Sequence, residues 1–136
     1  MIRWHLLTIG KPRLDYARAG AGEYLARLDK FTTVRWLPQK VSDPAKEGPA
    51  LLAASEGMLR VVLDERGELW SSREWARKVG EWELRGQRDI ALLIGGASGH
   101  SPAVRAAAQL VWSISPLTLQ HELALVVVIE QLYRAY

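Results

Sequence analysis

The stretch Leu92-Leu93-Ile94-Gly95-Gly96-Ala97-Ser98-Gly99-His100-Ser101-Pro102 decides the fold. Ile90 to Ile94 is a compact apolar run and reads as a buried strand. It enters three glycines, which permit positive φ and close approach of a ligand or another backbone. Ser101-Pro102 then opens a helix carrying Ala103, Ala106, Ala107 and Leu110. The same strand–turn–helix order recurs on both sides. Ile2 to Ile9 is apolar and bounded by Gly10-Lys11-Pro12, with Pro12 placed at a first helical position. Leu14, Ala17, Ala21, Tyr24, Leu25 and Leu28 follow at three- and four-residue spacing. Thr32 to Leu37 predicts a second strand, residues 39–49 a loop, and Leu51 to Met58 a short helix. Leu59 to Leu63 predicts a third strand, ended by a turn at Asp64-Glu65-Arg66-Gly67. Ser71 with Glu74 is a capping-box pattern before a helix carrying Trp75, Val79 and Trp82, closed by Gly86. Val111 to Ser115 predicts a fifth strand, and a helix from His121 to Tyr136 closes the chain.

Alternation of this kind predicts an α/β domain over residues 1–136, with a mainly parallel sheet of five to six strands and helices on both faces. Sheets of this type bind ligands at the C-terminal ends of their strands. Composition narrows the function. The 136 residues are 49% hydrophobic and 24% charged, an ordinary globular balance. With no cysteine there is no disulfide framework, thiolate metal site or Cys nucleophile, and three scattered histidines argue against a zinc site. No apolar run approaches a membrane span, and the first residues lack a secretory pattern, so a cytoplasmic domain is expected. Residues 1–59 hold nine Lys/Arg and six Asp/Glu, whereas residues 60–136 hold nine of each, so the net +3 resides in the N-terminal part. Either that half faces phosphates or the charge serves solubility.

Three constellations carry candidate chemistry. The glycine turn is spaced Gly-Gly-x-x-Gly, follows the fourth strand and lacks a ribose-binding acid some twenty residues on, which disfavours a dinucleotide oxidoreductase; no Gly-Lys-Ser/Thr follows, which excludes a P-loop. Trp112-Ser113-Ile114-Ser115-Pro116-Leu117-Thr118-Leu119 offers backbone donors and acceptors beside aliphatic side chains, a setting suited to a flat heterocycle or to an ordinary buried connection. The last helix is apolar from Leu123 to Ile129 and pairs Glu130 with Arg134 at i, i+4, which at a buried helix end would mark a site. His121 is its first residue, and a lone histidine there is as readily a cap.

In order and spacing, residues 92–102, Trp112 to His121 and Glu130-Gln131-Leu132-Tyr133-Arg134-Ala135 together resemble the large-subunit rRNA methyltransferase H family, of the SPOUT class. Gly10-Lys11, Glu23-Tyr24-Leu25 and Val61-Val62-Leu63-Asp64 with Gly67 fit the same family. The resemblance implies a homodimer with a C-terminal trefoil knot, S-adenosylmethionine as methyl donor, no metal, and methylation of N3 of a pseudouridine in 23S rRNA on the assembled 70S ribosome. It places cofactor contacts at Leu63, Gly96 and Ser115, Pro116, Leu117, Thr118, Leu119 and Gln120. Within it, Glu130 or His121 is expected to accept the imide proton, and Arg134 to steady the anion or a phosphate. The family continues past Ala135 with a tail, whereas this sequence ends at Tyr136; Gln120 and Leu125 replace its usual proline and arginine. The alternative expectation is therefore a catalytically weak ribosome-binding member of the same fold.

Overall fold

A computed structural model describes all residues from Met1 to Tyr136. Five strands form one sheet: β1 (Arg3–Ile9), β2 (Thr33–Gln39), β3 (Leu59–Leu69), β4 (Asp89–Ile94) and β5 (Leu110–Ser113). Their spatial order is β2-β1-β4-β3-β5, and every pairing is parallel. The helices are α1 (Asp15–Leu28), α2 (Pro44–Ala54), α3 (Ser72–Leu84), α4 (Pro102–Ala106) and α5 (His121–Arg134).

Strand side chains alternate between faces, so neighbouring residues enter different cores. Leu6, Val61, Leu92 and Trp112 join α1, α3 and α5 in one core, while Leu7, Val62 and Leu93 pack with Leu51 of α2 and Val104 of α4 in the other. Both faces are covered, as a parallel sheet requires. Tryptophan fills the larger core. Trp75 stacks on Trp112 at 4.2 Å between ring centroids, and Trp4 and Trp82 close around Trp75 at 5.9 and 5.8 Å.

Several boundaries differ from expectation for local reasons. α1 starts at Asp15 rather than near Pro12, with Leu14 as an N-cap that has no capping side chain of its own. Residues 44–49, expected as loop, begin α2: Asp43 Oδ1 accepts from Ala45 N at 3.1 Å, and Pro44 occupies the first turn. A second proline, Pro49, is carried inside this helix. β5 ends at Ser113 because Ser113 Oγ donates to Ser115 O and Ser115 Oγ accepts from Leu117 N, both at 2.9 Å, which folds the chain out of the ladder. The α3 termini match expectation. Ser71 and Glu74 form both bonds of the capping box, and Gly86, at φ +74°, lets Gln87 N reach back to Trp82 O.

The largest difference is at Asp64 to Gly67. No turn ends β3 there; the strand continues to Leu69. Leu63 pairs with Trp112, and after a four-residue excursion Glu68 pairs with Trp112 as well. At Gly67 the chain lies against the peptide between Val111 and Trp112, so that a Cβ would sit 2.4 Å from Val111 O and 2.7 Å from Trp112 N. Backbone cannot yield as a side-chain tip can, so only glycine fits. Gly67→Ala is expected to lower stability by at least about 2 kcal/mol in denaturant unfolding. Gly80→Ala, at an exposed position in α3 with nothing near its Cβ, is expected to raise it by about 0.5–1 kcal/mol.

Candidate active site

The C-terminal ends of β4 and β5 and the middle of β3 open into a cleft of about 610 Å³. Its lining comes from three segments: residues 63–66 in the bulged middle of β3, the glycine turn 94–100 after β4, and residues 113–121 between β5 and α5, with Ala124 one turn into the helix. Seven of the eight expected cofactor positions lie there: Leu63, Gly96, Ser115, Leu117, Thr118, Leu119 and Gln120. Pro116, the eighth, is exposed and points elsewhere, although its neighbours on both sides line the cleft. The 114–120 wall has no charged side chain, so its polarity is that of peptide groups and hydroxyls.

Glycine is favoured at the turn for two reasons. A Cβ on Gly95 would lie 3.0 Å from the Gly99 carbonyl carbon, and one on Gly96 would lie 3.3 Å from Ile9 Cβ. Gly99 has φ +73°, and its N–H donates to Gly96 O at 3.0 Å. The turn is thus folded on itself and pressed against β1.

Spacing within the sequence did not single out Asp64, Glu65, Arg66 or His100 as site residues, yet all four line the cleft, as do Ser113 and Ile114 of the Trp112–Leu119 stretch. The Asp64 side chain is only 5% exposed; Oδ1 accepts from Arg66 N at 2.9 Å, and Oδ2 lies 3.6 Å from Arg105 Nη1. Glu65 Oε2 accepts from Thr118 Oγ1 at 2.7 Å, which joins the first segment to the third. His100 is buried beneath the turn, with Nε2 3.0 Å from Leu93 O. A carbonyl only accepts, so Nε2 carries the proton and Nδ1 is a buried acceptor without a partner. Burial holds the His100 pKa below its ordinary range and keeps the ring neutral.

His121 stands at the cleft edge, where α5 begins. Gln120 Nε2 donates to its Nδ1 at 3.3 Å, and Glu122 Oε2 lies 3.8 Å from its Nε2. The other two expected catalytic residues are not in the cleft. Glu130 and Arg134 lie roughly 14 and 20 Å further along the helix at the usual rise per residue. Their ion pair, 2.5 Å between Oε2 and Nε, is not buried: the Arg134 side chain is 62% exposed. Leu123, Val127, Glu130 and Arg134 share one side of α5, where Leu123 and Arg134 are exposed, whereas Val126 packs against Gly20 of α1.

A polar feature anchors α5. Glu122 is buried, and its Oε1 accepts from Arg13 N and Leu14 N, both at 2.9 Å. It caps α1 from another helix, which is why Leu14 needs no cap of its own and why the helix starts beyond Pro12.

A family described as Predicted SPOUT methyltransferase matches residues 2–136. A ribosomal RNA large subunit methyltransferase H of Thermus thermophilus is 46% identical over 133 residues, covering 98% of this chain and 90% of that protein. The protein of the same name from Deinococcus radiodurans is 39% identical over 134 residues, covering 98% and 92%. Among solved structures, TrmJ from Z. mobilis superposes with a TM-score of 0.58 at 16% identity, covering 99% of this chain and 70% of that one. The chain belongs to the SPOUT methyltransferase family, and within it to the ribosomal RNA large subunit methyltransferase H family.

The backbone bonds from Leu14 and Arg13 hold the Glu122 pKa below its ordinary 4.5. A depressed carboxylate contributes stability above its unfolded value and loses it as pH falls through the folded one. Wild-type melting temperature is therefore expected to drop below pH 4.5, and Glu122→Gln to flatten that acid arm while lowering stability at neutral pH by about 1 kcal/mol, measured by circular dichroism melts across pH.

Proposed function

We propose that this protein transfers a methyl group from S-adenosylmethionine to N3 of a pseudouridine in 23S rRNA, acting on the assembled ribosome as a homodimer whose C-terminal segment is threaded as a trefoil knot. One observation carries the reading: Leu63, Gly96 and the uncharged 115–120 loop, separated in sequence, line a single cleft. The names of the Thermus and Deinococcus relatives support the rRNA substrate. The match of residues 2–136 to the SPOUT methyltransferase family supports the threading.

The residues present fit the cofactor. Peptide groups of the 115–120 loop and the glycine turn suit the hydrogen-bonding edge of an adenine, and Ile94, Leu117, Leu119 and Ala124 suit its faces. When bound, the cofactor supplies an electrophilic methyl group on a sulfonium that is its own leaving group. The chain then has two tasks: to hold the pseudouridine nitrogen in line, and to take its proton. Positioning of two reactants contributes up to about 7–11 kcal/mol in favourable cases.

His121 is the acceptor within reach of the cleft. In the neutral ring the proton sits on Nε2, and Nδ1 is the basic lone pair held by Gln120. An imide N–H displaces the Gln120 amide, and Glu122 Oε2 steadies the imidazolium through Nε2. Glu130 and Arg134 reach a cleft only from a second copy. The outward stripe of α5, with Leu123 37% exposed, and Leu14 and Tyr16 of α1 at 42% and 53%, is the apolar face that such a copy covers. A copy laid antiparallel on that stripe brings its Glu130 and Arg134 toward the first copy's His121, where Arg134 meets the developing anion or a phosphate.

Calorimetry is expected to show S-adenosylmethionine binding, and 70S ribosomes lacking the modification are expected to accept label from it in the target loop. Binding of cofactor and ribosome without transfer would instead make the chain a ribosome-binding member of the fold. His121→Gln is expected to lower kcat by roughly 10²–10⁴-fold at unchanged cofactor affinity. Light scattering is expected to give the mass of two chains; a monomer contradicts the assembled site.

A further inference from the structure

Asp64 and Arg105 belong to none of the expected site positions, yet they tie the walls of the cleft together. The Asp64 side chain is buried at the bulge in the middle of β3, immediately after the cofactor position Leu63. Arg105 lies in α4, and its side chain is 23% exposed. A single nitrogen of Arg105, Nη1, donates to His100 O at 2.7 Å and lies 3.6 Å from Asp64 Oδ2. It thereby connects the glycine turn to the bulged segment of β3. Asp64 Oδ1 holds the Arg66 N–H, which curls residues 64–66, and Glu65 in that curl accepts the Thr118 hydroxyl. The result is a chain of polar contacts from His100 through Arg105, Asp64 and Glu65 to Thr118. It touches each of the three segments that line the cleft.

We propose that Asp64 and Arg105 are positioning residues that set the separation between the glycine turn and the 115–120 loop, and so the cleft's affinity for S-adenosylmethionine; this rests on the reading of the cleft as that cofactor's site. The physical reason is the cost of a buried charge. The second guanidinium on Asp64, that of Arg66, is 3.5 Å away and 64% exposed, so it is mobile and well hydrated. Without Arg105 the carboxylate is left short of compensation in a buried place. Residues 64–66 then move outward to hydrate it, carrying Leu63 and the Glu65 partner of Thr118 with them. The glycine turn at the same time loses the bond that fixes the His100 carbonyl. Neither residue touches the reacting groups, so its effect falls on cofactor binding and not on the ribosome.

Arg105→Gln and Asp64→Asn are expected to raise the dissociation constant for S-adenosylmethionine between about threefold and thirtyfold. The KM for ribosomes is expected to stay unchanged, and Arg105→Lys to recover part of the loss because the ammonium keeps the charge but, on a shorter and more flexible stem, does not hold the position of Nη1. Amide hydrogen exchange of the unliganded protein is expected to quicken at residues 63–66 and 95–100 in Arg105→Gln. Unchanged cofactor affinity in folded variants overturns the proposal, as does an equal loss of cofactor and ribosome affinity. Wild-type protein that binds no S-adenosylmethionine overturns the reading of the cleft, and exchange in the two segments then tests the tie by itself: no change in Arg105→Gln overturns it. Where Arg105→Gln fails to fold, Arg105→Lys carries the same measurements.

Discussion

The contact on which the molecule turns is the close approach of one backbone to another at Gly67. Trp112 pairs with Leu63 before the bulge and with Glu68 after it, so β5 is held twice by the same strand. Main-chain atoms meet main-chain atoms, and a Cβ would fall 2.4 Å from Val111 O. Such a contact has no tolerance, and its consequences spread in two directions. Beneath it, Trp112 is pinned on Trp75 and organises the larger core. Above it, the middle of β3 and the end of β5 are drawn together, and residues 63–66 and 113–121 line one cleft with the glycine turn.

The cleft follows from that constraint with little chemistry of its own. Three loops on the same end of a parallel sheet present peptide groups, hydroxyls and aliphatic faces. The two carboxylates among their charged members, Asp64 and Glu65, hold the loops to one another. Under the proposed function, such a site recognises by shape and peptide hydrogen bonding, and His121 at its edge takes the proton. Buried Glu122 sets His121 in place by locking the start of α5 to the start of α1.

Much of this was legible in the sequence. The alternation of apolar runs with helical spacing predicted an α/β sheet covered on both faces, and the two cores bear it out. Leu63, Gly96 and the 115–120 loop were identified through their resemblance to a family, and the fold brings all but Pro116 to one cleft. What stayed hidden is what depends on distant partners. Asp64-Glu65-Arg66-Gly67 has the composition of a turn, and only its docking on β5 makes it strand. Pro12 fits a helix start, but a carboxylate from residue 122 moves the start to Asp15. Glu130 and Arg134 were expected at a buried end of α5, whereas that end is open, because the helix's apolar composition could not say which stripe faces α1. Asp64 and Arg105 are 41 positions apart (105 − 64), and no local pattern links them.

The central claim is that the three segments around the Gly67 contact form one cofactor site. Hydrogen exchange of each backbone amide, with and without S-adenosylmethionine, tests it most directly. Protection gathered in residues 63–66, 95–100 and 113–121, and absent from the far ends of α1 and α5, is the predicted result. Protection confined to one of the three segments, or centred elsewhere on the sheet, would contradict it.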